Sequence, residues 1–82
     1  MTWNYRVVKY NIDKNIIYRI HEVFYDKNKN MEGFTENAVS PQGDSLKELI
    51  ADLQLMMDDA KKSPVLSLKE LNEKFSKKLK NK

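Results

Sequence analysis

The chain has 82 residues, 15 Lys+Arg against 12 Asp+Glu for a net charge of +3, 40% hydrophobic residues and no cysteine. A chain of this length builds one modest core and buries only about 60% of the surface its unfolded form exposes, so support from a partner or from self-association is expected and a deep catalytic cleft is not. The lack of cysteine excludes disulfides, zinc ribbons and thiol chemistry. With no apolar leader at the start and no run of about 18 apolar residues, the expectation is a cytoplasmic protein without a membrane span.

The charge is unevenly placed. Residues 1–60 carry 7 basic and 10 acidic groups, whereas residues 61–82 carry 8 lysines against Glu70 and Glu73. The first part is net acidic and the tail strongly basic, so removing residues 67–82 reverses the sign of the net charge.

Residues 3–10 and 16–25 are dense in β-branched and aromatic types and predict two strands. Asp13-Lys14-Asn15 between them predicts a hairpin turn, and Asp26 to Asn30 a second loop. A third strand is predicted over Gly33 to Val39, ending at Ser40-Pro41 because proline cannot donate to a ladder. Alternation sorts the side chains. Trp3, Tyr5, Val7, Tyr18, Ile20 and Phe24 fall on one face, read as the core. Arg6, Val8, Tyr10, Ile17, Arg19, His21, Val23 and Tyr25 fall on the other, mixed face, which the second helix of this chain or of a second copy would cover.

Ser45-Leu46-Lys47-Glu48 has the spacing of a capping box and opens a helix. Leu46, Leu49, Ile50, Leu53, Met56, Met57 and Ala60 form the stripe expected to lie on the sheet, with Glu48, Asp52 and Asp59 on the solvent side and Leu55 among them. Lys62-Ser63-Pro64 ends the helix, since the residue before proline is pushed out of helical angles. Ser67-Leu68-Lys69-Glu70 starts a second helix with Leu68, Leu71, Phe75 and Leu79 as a narrow stripe. The fold class expected is α+β: a three-stranded antiparallel meander, a helix packed on it (β-β-β-α) and a second C-terminal helix. Residues 1–62 form the domain, and 63–82 a proline-containing linker and basic helix.

No catalytic or metal-binding constellation is expected. His21 adjoins Glu22, but neighbouring strand residues point to opposite faces and cannot act as a pair. The carboxylates of the first helix lie along one side rather than converging in a pocket. No cofactor is implied. Two surfaces remain as interaction candidates. Glu48, Asp52, Leu55 and Asp59 would meet a protein partner, masking a basic one. Arg6, Tyr10, Arg19, His21 and Tyr25 would either serve a protein contact or, with the tail lysines, stack bases and hold phosphates of RNA or single-stranded DNA.

Three strands leading into a helix, with Gly43-Asp44-Ser45-Leu46-Lys47-Glu48-Leu49 at the junction, resemble the N-terminal domain of HicB-type antitoxins over about residues 3–62. That family has a β-β-β-α arrangement related to part of the ribonuclease H fold, with a Gly-Asp-Thr/Ser-x-x-Glu-Ala turn into the helix. Trp3-Asn4-Tyr5-Arg6, Ile20-His21-Glu22-Val23-Phe24-Tyr25, Gly33-Phe34-Thr35-Glu36 and Pro64-Val65-Leu66 resemble more closely a small group of short bacterial proteins without an assigned activity. The chain departs from the HicB pattern at Phe24 to Asn28, where a Pro-x-Leu-Pro-Gly segment is usual. It also departs after Ser67, where one helix replaces the usual DNA-binding domain. The resemblance implies the fold and a protein-binding, antitoxin-like role, not operator binding; self-association is expected through the sheet edge, the mixed sheet face or the second helix.

Overall fold

Two long antiparallel strands, β1 (Thr2–Ile12) and β2 (Asn15–Tyr25), form the spine of the fold in a computed structural model that describes residues 2–80, with side chains through Phe75. Their two-residue turn puts Asp13 and Lys14 at φ 48° and 70°. Positive φ at both central positions matches the turn to the right-handed twist of the strands. β3 (Met31–Phe34) adds to β2 antiparallel, α1 spans Leu46–Lys62, and α2 spans Leu68–Lys80. The Asp26 carboxylate ties the β2–β3 loop by accepting the amides of Asn28 and Asn30.

A two-residue strand, β4 (Leu66–Ser67), runs parallel to β1 beside Val8 and Lys9, so the sheet is mixed and ordered β3-β2-β1-β4. The three-stranded meander expected from the sequence is thus present within a larger sheet. Its third strand stops at Phe34 instead of Val39. Beyond it the chain follows the edge of β2 through single bonds, Thr35 N–H to Glu22 O (2.9 Å) and Val39 N–H to Ile20 O (2.8 Å).

Helix α1 begins where the capping box predicts. Ser45 Oγ accepts from Glu48 N–H at 3.1 Å, while the Glu48 carboxylate reaches one residue further back, to Asp44 N–H at 3.0 Å. A Cβ on Gly43 would fall onto the backbone of Glu48 and Leu49, so the junction closes over the first turn only with glycine there. At the other end Ser63 is extended, as a residue before proline must be.

Each helix packs toward one face of the sheet. On the α1 side Tyr5 and Met56 are buried, but Trp3 and Tyr18, both expected in the core, are exposed. On the other side Val8, Val23 and His21 are fully buried and Leu71 of α2 is 4% exposed. Phe75 extends this packing with its ring 5.8 Å from Phe34, which meets His21 edge-on. The tighter core therefore lies on the mixed face, and α2 belongs to it. Leu79, expected in the same stripe, lies outside the described side chains. No helix among the described residues is long and apolar enough to cross a membrane.

Candidate functional site

In the acidic row of α1 only Glu48 faces solvent as the spacing implied. Asp59 is buried, and its carboxylate accepts the backbone N–H of Tyr5 at 3.1 Å. Asp52 accepts the Tyr5 hydroxyl at 2.5 Å and Gln42 N–H at 2.9 Å. The physical reason lies in β1. It is next to the sheet edge, β4 covers only Val8 and Lys9, and the Tyr5 amide needs an acceptor from elsewhere. Two carboxylates seven residues apart lie on one side of a helix and satisfy the amide N–H and the hydroxyl of Tyr5. Of the four expected interface residues, Glu48 is exposed but tied into the cap, and Leu55 alone stands free on the surface.

Burial, reinforced by the Asp52 hydrogen bond, pushes the Tyr5 phenol well above its ordinary 10.0. The Tyr5 hydroxyl, followed by Gln42 N–H, holds the Asp52 carboxyl below its ordinary 3.8. The stability tied to Asp52 is present above 3.8 and is lost as pH falls through the lowered native value. That tied to Tyr5 is present below 10.0 and is lost as pH rises toward the raised native value. Tyr5→Phe is therefore expected to flatten both limbs of unfolding free energy against pH, measured by urea titration between about pH 2 and pH 11. A variant curve parallel to wild type at both ends would show that this pair sets neither limb.

The basic and aromatic residues of the opposite face are drawn together, into each other. Arg6 donates to Tyr25 Oη (3.0 Å) and to the Pro64 carbonyl (2.9 Å), and Tyr25 donates to Asn4 Oδ1 (2.9 Å). Arg19 lies over the Tyr10 ring at 4.7 Å. His21 is fully buried, with Nε2 2.6 Å from Tyr10 Oη and Nδ1 2.8 Å from the Thr35 carbonyl. A base-stacking platform needs open ring faces, and here α2 packs over the sheet. Of the five residues only Arg19 is exposed.

The free surface lies elsewhere, in two places that residue type alone did not mark. One is the far half of the hairpin, where Ile12, Ile16, Ile17 and Tyr18 are all exposed. β3 ends its pairing at Val23, and the last bond along the outer edge of β2 is the one to Ile20 O. The carbonyls of Glu22 and Ile20 both point outward, so by alternation the N–H and C=O of Tyr18 and Ile16 also point to this edge. The other place is the apolar flank of α1. A wide depression of about 480 Å³ lies at the strand-to-helix junction, lined by Pro41, Gln42, Gly43, Asp44, Glu48 and Leu49. Of its two carboxylates, Asp44 and Glu48, the second is held by the cap. Among the described residues no three His, Cys, Asp or Glu side chains are grouped to hold a metal ion. No protein-family model, curated protein or solved structure matches the chain.

Proposed function

We propose that the chain is a cytoplasmic, non-enzymatic protein-interaction domain of the HicB-antitoxin-like type, and that it takes an extended segment of a protein partner onto the outer edge of β2. The observation that carries this reading is the edge at Ile16 and Tyr18. There an unpaired stretch of backbone sits beside side chains that are 53% and 60% exposed. An exposed, β-branched strand edge is a template for strand addition, with main-chain bonds supplying affinity and alternate side chains specificity. The β-β-β-α order and the glycine-dependent junction at Gly43-Asp44-Ser45 support the HicB-like part of the reading. Absorption of His21, Asp52 and Asp59 into structural hydrogen bonds supports a binding role over a catalytic one. The same bonds remove the reason for expecting α1 to mask a basic partner. Packing of α2 over the mixed face leaves the RNA-binding alternative without its platform.

Tyr18→Pro tests the edge directly. It deletes one outward-pointing N–H and leaves the inward ladder to β1 intact, a position where strands tolerate proline. In co-expression with the product of the neighbouring reading frame, the wild-type chain is expected to co-purify with that product. The variant is expected to retain wild-type circular dichroism and lose at least about tenfold in affinity, a change near 1.4 kcal/mol. Undiminished binding by a folded Tyr18→Pro chain would exclude the edge as the contact.

A further inference from the structure

Helix α1 turns the less apolar of its two lines toward the sheet. The line facing β1 is Leu49, Asp52, Met56 and Asp59, in which Met56 is 4% and Asp59 9% exposed. About 110° around the helix, at roughly 100° per residue, lies a second line of Leu46, Ile50, Leu53 and Met57. These four are 72%, 55%, 47% and 48% exposed. Their successive spacings of four, three and four residues are those of alternating d and a positions in a heptad. A helix on a globular domain ordinarily turns such a line inward. Here the hydroxyl and amide of Tyr5 draw Asp52 and Asp59 inward instead and hold the seam to one side.

We propose that this seam is the contact surface for a second copy of the chain, with the two α1 helices antiparallel about a two-fold axis passing between Ile50 and Leu53. The line is its own complement. Leu46 and Met57 lie equally far from its midpoint, as do Ile50 and Leu53, so the two-fold sets Leu46 against Met57 of the partner subunit and Ile50 against Leu53 of the partner subunit. Charge agrees with this direction. Lys47, Gln54 and Lys61 line the outer flank with Asp58 beside them, and antiparallel pairing brings Lys47 toward the partner's Gln54 and the partner's Asp58. A parallel pair would instead hold the lysines of both copies at the same levels. The exposed seam offers on the order of 450 Å² of apolar surface, close to the apolar share of a standard interface of about 800 Å² per partner. It is also as large as the biggest apolar patch a typical monomer leaves uncovered, about 300–600 Å².

Sedimentation equilibrium of the full chain at micromolar concentration is expected to give twice the 9.7 kDa chain mass. Ile50→Lys is expected to give the single-chain mass with circular dichroism unchanged. The chain has no cysteine, so orientation can be read without background. An oxidised mixture of the Leu46→Cys and Met57→Cys chains should cross-link into the mixed dimer at least about tenfold more than either chain alone. A monomeric wild type, a dimer that survives Ile50→Lys, or efficient cross-linking of Leu46→Cys to itself would each overturn the proposal. The seam and the β2 edge are separate surfaces. A dimer lost in Tyr18→Pro but retained in Ile50→Lys would place self-association on the strand edge, against the seam.

Discussion

Removing residues 67–82 is expected to abolish cooperative folding rather than trim an accessory tail. The deletion takes away α2 and half of β4, which uncovers the fully buried Val8, Val23 and His21 and loses Leu71 and Phe75 from the packing on that face. A domain of this size has a total stability of roughly 4–12 kcal/mol. Truncating one buried leucine typically costs about 2–5 kcal/mol, so losing the whole helix consumes most or all of that margin. Thermal melts followed by circular dichroism should show no sigmoidal transition for residues 1–66. Leu71→Asp in the full chain should lower stability by about 3–5 kcal/mol through lost packing and a buried charge. A truncated chain that melts cooperatively within a few degrees of wild type would show that the sheet and α1 suffice.

The packing of α2 bears on function as well as stability. The basic charge of the tail suits nucleic acid, but the apolar side of the same helix closes the sheet face that would have held it. The two surfaces left open are of a different kind, a strand edge and a helix seam, and both suit protein contacts. If α1 pairs two copies, the dimer carries two β2 edges. A partner with two extended segments would then bind with an effective concentration set by the spacing of those edges.

Much of the fold was legible because local chemistry specifies it. The β-branched runs, the Asp13-Lys14 turn, the Ser45-Glu48 cap and the stop at Ser63-Pro64 each depend on residues within a few positions of one another. The choice of core face was not legible. Both faces of the hairpin carry aromatic and aliphatic groups, and which is covered more tightly depends on where α2 returns, a contact between the two ends of the chain. β4 was invisible for a related reason, since two residues have no periodicity to read. The misplacement of Asp52 and Asp59 is the most instructive case. Hydrophobic patterning ranks helix faces by apolar content and is blind to the hydrogen-bond demand of Tyr5. That demand turns carboxylates inward and leaves leucines outside.

The sequence places His21 in a group of surface residues, and it is expected to be the most sensitive polar position among the described residues. The ring is fully buried between β1, β2 and the segment after β3. Because a carbonyl only accepts, the 2.8 Å contact to Thr35 O makes Nδ1 the donor. In the neutral ring Nε2 is then left to accept the Tyr10 hydroxyl at 2.6 Å. Thr35 in turn exchanges bonds with Glu22, its N–H donating to Glu22 O and its Oγ1 accepting Glu22 N–H. The imidazole thereby fastens the irregular chain after Phe34 to the middle of the hairpin. His21→Ala opens a cavity and leaves Tyr10 Oη and Thr35 O without their partner, for an expected loss of about 3–5 kcal/mol in urea denaturation. Tyr10→Phe removes one bond and should cost only about 1 kcal/mol, with a coupling of at least about 0.5 kcal/mol between the two sites in a double-mutant cycle. His21→Phe restores volume without the bonds and should recover only part of the loss. If His21→Ala stays within about 1 kcal/mol of wild type, the buried ring is not what joins the two halves of the sheet.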